Sequence, residues 1–187
     1  QVRVLPSRGG GGPTAAFAPF GGAPVRSVQV CRPAGCASFV VVTGSGDNSV
    51  LKVWDSKGEV CHQTVTFRTV DSEPFRGVVV REPRSEFVLV ANTASDSPAA
   101  CWSIFALHLS SGPSGYRFDH SSEYSIMYPV ISCTARREPE AAPDRQPEIH
   151  LYTMQTKMIQ QYHLAPEHCH DVIPPSAPIP PSSAPAP

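Results

Sequence analysis

Short apolar or alternating runs, separated by polar turns, cover the chain between residues 25 and 172. Residues 25–30 and 60–67 alternate apolar and polar side chains, which is typical of strands with one buried face. Residues 38–43 and 86–91 are nearly continuous apolar runs, typical of strands buried on both faces. Turn signals recur at intervals of about 8–12 residues, and no long amphipathic helical pattern occurs. The pattern therefore predicts an all-β fold.

The stretch from residue 41 to residue 55 carries the most specific motif. It is an apolar strand, a tight polar turn and a second strand that ends in Trp54-Asp55. This order is typical of one blade of a WD-repeat β-propeller. In such a blade the indole of the Trp donates a hydrogen bond to a hydroxyl on the preceding strand, which the spacing assigns to Thr43. We predict Thr43, Asn48, Trp54 and Asp55 to be structural blade residues, none of them catalytic.

Two features of the motif depart from a regular WD repeat. In a regular WD repeat an acidic residue lies in the turn at a set distance before the Trp. Here Asn48 is at that position, and Asp47 is one residue further from Trp54. No Gly-His dipeptide precedes the blade, so its buried polar network is expected to be incomplete. An ordinary hairpin that ends in an amphipathic Trp is the alternative interpretation.

The strand pattern repeats along the chain with weaker marks. Residues 25–67 hold four strands in a meander, residues 75–126 repeat them, and residues 130–164 start a third set. At roughly 40–45 residues per WD-repeat blade, residues 25–172 hold about three four-stranded blades. Propellers have about four blades or more, so we predict a partial propeller whose remaining blades lie elsewhere.

Both ends of the chain differ in composition from its middle. Residues 1–24 are rich in Gly and Pro, and residues 173–187 consist almost entirely of Pro, Ser and Ala. Neither stretch has a strand or helix period. We predict a disordered head over residues 1–24, propeller blades over residues 25–172, and a semi-extended Pro-rich linker over residues 173–187.

Charge is placed unevenly along the sequence. The formal net charge is −1, which gives no global field that favours nucleic acid. No acidic residue precedes Asp47, however, whereas Arg3, Arg8, Arg26 and Arg32 do. Four scattered arginines fall short of a basic cluster, so a solvated tail is the favoured interpretation and an RNA-binding module the alternative.

The sequence has six cysteines, and they lie inside apolar strand patterns. No signal peptide precedes them, which favours reduced, buried thiols over disulfides. No apolar run approaches the roughly 18 residues of a membrane-spanning helix, so no membrane association is expected.

Motifs for catalysis are missing from the sequence. There is no nucleophile elbow, no P-loop and no dinucleotide-binding glycine motif. The cluster from His168 to Asp171 has no second Cys or His pair near it in sequence to complete a zinc site, so a polar strand exit is the favoured interpretation. The sequence predicts a protein that is not an enzyme and has no cofactor, metal or catalytic residue.

The order of motifs after the Trp-Asp blade resembles one family. Residues 88–92 read VLVAN, residues 104–109 read IFALHL, and YRFD, SEY and YPVIS follow between residues 116 and 132. The final hairpin, residues 149–162, reads IHLYTMQTKMIQQY and is the most specific part. This order is similar to the last blades of the WD-repeat region in the enhancer of mRNA-decapping protein 4 family, called Varicose in plants.

The resemblance implies a scaffold of cytoplasmic mRNA turnover that is not an enzyme. Family members hold the decapping enzyme and its activator together and concentrate in processing bodies. Their propeller is followed by a Ser-rich linker, which residues 173–187 would begin, and by a helical oligomerising domain that this chain does not contain. Contact with mRNA would then be indirect. A generic WD-repeat adaptor of another pathway is the main alternative, and an RNA-binding module that uses the arginine-bearing head is the second.

Overall fold

A computed structural model describes residues 1–4, 15–33, 36–69, 75–93, 102–112, 115–137 and 147–169. The described chain is all-β, as predicted, and contains four antiparallel sheets of two to four strands with no closed barrel among them. The strands are β1 Val2–Val4, β2 Ala15–Phe17, β3 Ser27–Cys31, β4 Val40–Ser45, β5 Val50–Trp54, β6 Cys61–Thr66, β7 Gly77–Arg81, β8 Phe87–Asn92, β9 Trp102–Gly112, β10 Gly115–Ile126, β11 Val130–Arg137, β12 Ile149–Gln155 and β13 Ile159–Leu164. One short helix, α1 Pro166–Cys169, follows β13.

The strands form meanders in which each strand pairs with its neighbours in sequence. β1 and β2 form the head sheet, β3 to β6 sheet 1, β7 to β10 sheet 2, and β11 to β13 sheet 3. Sheets 1 and 2 each have the four strands that the sequence predicts. Sheet 3 has three among the described residues. Where a fourth could start, Pro166 begins α1 instead, because proline has no backbone N–H to give to a strand ladder. His168 and Cys169 therefore lie in a helical turn directly after β13, and His170 and Asp171 lie outside the described residues.

Sheet 2 lies between sheets 1 and 3 and has apolar side chains on both faces. Its strand β8 is fully buried, and successive side chains of a strand point to opposite faces. The core shared by sheets 1 and 2 consists of Cys31, Val40, Val42, Leu51, Val53, Phe75, Val79, Val88, Val90, Leu107, Leu109 and Phe118. The core shared by sheet 2, sheet 3 and α1 consists of Phe87, Leu89, Ala91, Ile104, Ala106, Val130, Ile149, Leu151, Leu164 and Cys169.

The first strands of the three large sheets lie side by side. β3 contacts β7, and β7 contacts β11. At the other side of the sheets, β10 of sheet 2 contacts β5 and β6 of sheet 1. The three meanders therefore follow one another with their first strands, β3, β7 and β11, adjacent to each other.

Amide side chains of sheet 1 and its turns bond to the backbone of sheet 2. Gln29 Nε2 donates to the carbonyl of Val79 at 3.0 Å. Gln63 Nε2 donates to the carbonyl of Phe118 at 3.1 Å, and its Oε1 accepts from the Phe118 N–H at 2.6 Å. Because a carboxamide both donates and accepts, one side chain can satisfy two backbone groups of a neighbouring sheet. These bonds fix the position of sheet 1 against sheet 2 beyond what apolar packing specifies.

The head contains ordered structure, contrary to the predicted disorder of residues 1–24. Val2 to Val4 pair with Ala15 to Phe17, and the Val2 side chain is buried. The Phe17 ring lies 5.3 Å from the Trp54 ring, between centroids. Lys52 Nζ donates to the carbonyl of Pro19 at 3.0 Å. The head therefore has a surface to fold against, and packing on sheet 1 replaces the strand period that its own sequence lacks.

The predicted linker, residues 173–187, lies outside the described residues. No helix in the described ranges is long and apolar enough to cross a membrane.

Candidate functional site

The indole of Trp54 on β5 forms a hydrogen bond with Thr43 on the neighbouring strand β4 of sheet 1. Trp54 Nε1 donates to Thr43 Oγ1 at 3.1 Å, which is the pairing that the motif spacing predicts. In the strand register Thr43 lies opposite Lys52, so Trp54 is its diagonal neighbour and within reach of a large side chain. Thr43 is completely buried, and this bond gives its hydroxyl a partner inside the protein.

Asn48 takes no part in that bond and instead links sheets 1 and 2. It lies in the turn between β4 and β5 with φ of 65°, a left-handed conformation that Asn tolerates better than most residues. Its Oδ1 accepts from Ser27 Oγ at 2.6 Å, and its Nδ2 donates to the carbonyl of Gly77, the first residue of β7, at 2.7 Å. The Gly77 N–H in turn donates to the carbonyl of Asp47 at 2.8 Å. We call Ser27, Asp47, Asn48 and Gly77 the intersheet clasp.

Asp55 stabilises the turn that leads from β5 to β6. Its Oδ1 accepts from the backbone N–H groups of Glu59 at 2.7 Å and Val60 at 3.1 Å. The Gly58 N–H donates to the Asp55 carbonyl at 3.1 Å and closes the turn. All four blade residues predicted from the motif thus have side chains in hydrogen bonds, but these belong to three separate places and not to one network.

Removing the indole N–H is expected to destabilise the fold modestly. Trp54→Phe keeps most of the ring packing against Phe17 but leaves the buried Thr43 hydroxyl without its donor. We expect the free energy of unfolding to fall by about 1–3 kcal/mol, measured by urea denaturation. Thr43→Val removes the other partner, and the double variant should cost less than the sum of the two single variants. Strict additivity of the two changes would contradict a direct Trp54–Thr43 interaction.

A side chain at Gly44 is expected to break the intersheet clasp. A Cβ at this position would lie 2.1 Å from Asn48 Oδ1 and 2.5 Å from Ser27 Oγ. Gly44→Ala should therefore lower the free energy of unfolding by about 1–3 kcal/mol, because the packed site cannot absorb the added methyl group. Gly112→Ala is the matched control, since nothing lies within 4 Å of a Cβ there. Equal melting temperatures for the two variants would argue against the clasp.

A buried carboxylate connects sheets 2 and 3, and no local sequence pattern marks it. Glu82 is completely buried in the turn between β7 and β8. Its two oxygens accept from the backbone N–H groups of Arg84 at 2.7 Å, Glu86 at 2.5 Å and Phe87 at 3.3 Å. Arg137, at the end of β11, lies 3.5 Å from Glu82 and forms a shorter ion pair with Glu86. The Arg137 Nε also donates to the carbonyl of Pro147 at 3.2 Å.

A basic groove opens beside the first strands of sheets 1 and 2. It has a volume of about 610 Å³ and is lined by Val30, Arg32, Arg81, Pro83, Arg84, Ser85 and Glu86. Three of these residues are arginines, and the one acid, Glu86, already pairs with Arg137. Val30 and its neighbour on the same face, Val28, are 50% and 44% exposed. The groove therefore combines positive charge with exposed apolar surface.

The described cysteines are free, as expected, but they are not uniformly buried. Cys31 and Cys169 are buried, whereas Cys61 is exposed, which corrects the expectation for that residue. Cys61 begins β6, an edge strand with one face toward solvent. Burial raises the pKa of the Cys31 thiol to about 12 and that of Cys133 to about 11, so both stay protonated and unreactive at neutral pH.

Comparison with known proteins gives no assignment. No protein-family model matches the chain, and no curated protein matches it at a significant level.

Proposed function

We propose that this chain is part of a WD-repeat β-propeller and works as a non-catalytic scaffold in cytoplasmic mRNA decapping. The observation that carries the proposal is the side-by-side arrangement of β3, β7 and β11, the first strands of three consecutive antiparallel meanders. In a propeller the first strand of each blade lies nearest the central channel, and consecutive blades pack face to face. The two cores on opposite faces of sheet 2 agree with such packing.

Three blades do not complete a propeller, which typically has four to eight of them. The head sheet packs on the outer face of sheet 1 at Trp54, so a preceding blade would have to displace the head to pack on that face. The outer face of sheet 3 carries Met154 and Ile159, which are exposed. We therefore propose that further blades close the ring in the complete protein.

The decapping assignment comes from the resemblance of about residues 41–169 to the enhancer of mRNA-decapping protein 4 family, which is most specific in the final hairpin, residues 149–162. A scaffold of this kind acts by raising the effective concentration of its bound partners, the decapping enzyme and its activator, near one mRNA end. It needs a rigid surface and no chemistry of its own. Contact with mRNA would be indirect, the site of action would be the processing body, and oligomerisation would use a region outside this chain.

We place partner contact at the basic groove. Its arginines suit acidic side chains, and Val30, with Val28 beside the groove on the same strand face, suits apolar ones, so an extended acidic segment with apolar anchors is the expected ligand. Arg81 Nη1 donates to the carbonyls of Glu82 and Pro83 and to Ser85 Oγ, each at 3.3–3.4 Å, which holds one wall of the groove in place. Arg32 and Arg84 supply the remaining positive charge.

Affinity purification of the tagged 187-residue chain from cells tests the proposal. We expect the decapping enzyme and its activator to co-purify after nuclease treatment, and the double variant Arg32→Glu, Arg84→Glu to recover at least about tenfold less of both. Arg117→Glu, at an exposed position of β10, is the matched control and should bind normally. Recovery of a different defined complex would favour a generic adaptor, and loss of all partners on nuclease treatment would favour an RNA-binding module. Either result overturns the decapping proposal.

A further inference from the structure

Two histidines and a glutamate converge on the outer face of sheet 3. His150 on β12 lies directly opposite His163 on β13 in the strand register. Glu148 precedes His150 by two residues, so strand alternation places it on the same face. One ligand atom from each of these three residues lies within 4.8 Å of the others. We call Glu148, His150 and His163 the sheet 3 triad.

The individual distances define which atoms face each other. Glu148 Oε2 lies 3.1 Å from His163 Nδ1 and 3.9 Å from His150 Nε2. The two imidazole rings are 4.3 Å apart between centroids. The His150 side chain is 8% exposed, whereas those of Glu148 and His163 are 30% and 56% exposed. One nitrogen of each ring and one carboxylate oxygen thus surround a small space that solvent can enter from the His163 side.

Gln161 contacts the opposite nitrogens of both rings. Its amide lies 3.2 Å from His150 Nδ1 and 3.0 Å from His163 Nε2. A carboxamide can present either its oxygen or its nitrogen to a given neighbour. The amide nitrogen is the atom at both distances, so Gln161 donates to each ring, and the ring protons lie on His150 Nε2 and His163 Nδ1, toward the Glu148 carboxylate. A bound metal requires each ring to carry its proton on the nitrogen that faces Gln161, and the amide then turns its oxygen toward the rings and accepts from both.

We propose that the sheet 3 triad binds one Zn²⁺ ion, with a water molecule as the fourth ligand. Two imidazole nitrogens and one carboxylate oxygen are a donor set that zinc takes in proteins, at about 2.0–2.2 Å. Two nitrogens at that distance from one tetrahedral ion are roughly 3.3 Å apart, so the proposed site closes by rotation of the exposed His163 and the partly exposed Glu148 side chains around the buried His150. Gln161 is a positioning residue that orients both rings through their second nitrogens. The inference does not use the scaffold function, but the triad lies on the face of sheet 3 that a further propeller blade would cover.

Titration of the metal-free chain with Zn²⁺ in an isothermal calorimeter tests the site. We expect one equivalent to bind, and the melting temperature to rise with the Zn²⁺ concentration, because the ion joins β12 to β13 in the folded state. His163→Gln and Glu148→Gln should each weaken binding at least tenfold. Both positions are partly exposed, so these variants should fold normally, which circular dichroism checks. Gln161→Leu should weaken binding about 10- to 100-fold although it removes no ligand.

Other zinc donors in the chain provide the matched controls. Cys61→Ser removes an exposed thiol, and His168→Gln removes an exposed imidazole away from the triad. Both variants should bind Zn²⁺ like the parent. Cobalt gives a second readout, because Co²⁺ in a four-coordinate site absorbs visible light far more strongly than in water, and His163→Gln should lose that absorption. Absence of binding to the parent chain, or binding that persists in both His163→Gln and Glu148→Gln, would overturn the proposal.

Discussion

Replacement of Glu82 by alanine is expected to lower the free energy of unfolding by about 3–5 kcal/mol, measured by urea denaturation. The carboxylate is completely buried and accepts three backbone N–H groups, from Arg84, Glu86 and Phe87. Each buried donor left without an acceptor costs about 1–3 kcal/mol. Arg137 also loses one of its two carboxylate partners in a site where its own side chain is only 4% exposed.

The variant Glu82→Gln separates the two contributions. Its amide oxygen can still accept from the turn N–H groups, but it carries no charge to pair with Arg137, so an intermediate loss is expected. Glu59→Ala, at an exposed position, is the surface control and should change the free energy of unfolding by less than about 0.5 kcal/mol. A Glu82→Ala variant that is as stable as Glu59→Ala would show that the turn between β7 and β8 does not depend on this carboxylate.

The sequence predicted the strands well because their signal is local. A period of two residues and nearly continuous apolar runs identify half-buried and fully buried strands without knowledge of their neighbours. The Thr43–Trp54 hydrogen bond was predictable for the same reason. One tight turn fixes the register of β4 and β5, and the register determines which side chains are diagonal neighbours.

Contacts between sheets could not be predicted in this way. The intersheet clasp joins residues of β3, a turn and β7. The WD-repeat spacing had instead predicted that Asn48 belongs to the hydrogen-bond network of Trp54. Glu82 and Arg137 lie 55 positions apart, and each reads in sequence as an ordinary surface charge. Both side chains are buried because β11 lies next to β7, and this contact cannot be deduced from either local sequence. The predicted disorder of the head has a related cause, since the strands of the head form against the Trp54 face of sheet 1.

The sheet 3 triad shows the same limit within a single sheet. Its histidines are separated by a turn and by most of two strands, so their distance depends on the register of β12 and β13. A slip of one residue would move His163 to the opposite face of the sheet. A search for closely spaced ligands finds clusters such as the one around His168. It does not find a site whose ligands come from two strands and are far apart in sequence.

Replacement of Phe87 by alanine is the second change expected to cost about 3–5 kcal/mol of unfolding free energy. Phe87 is completely buried in the core shared by sheets 2 and 3, and its ring lies 5.1 Å from that of His108, between centroids. Its loss leaves a cavity that the paired strands on either side cannot collapse to fill.

Whether Phe87→Ala unfolds in one transition or two is a more informative measurement than the size of its stability loss. If sheet 2 belongs equally to both cores, Phe87→Ala should weaken sheets 1 and 3 together, and denaturation should remain a single transition at lower urea concentration. Tryptophan fluorescence, which reports on Trp54 in sheet 1 and Trp102 in sheet 2, should then coincide with circular dichroism. Phe87→Leu is the matched control and should lose much less, because it keeps most of the buried volume. Two separate transitions in Phe87→Ala would mean that sheet 3 unfolds independently, and the stacked-sheet arrangement behind the propeller proposal would then lack its cooperative core.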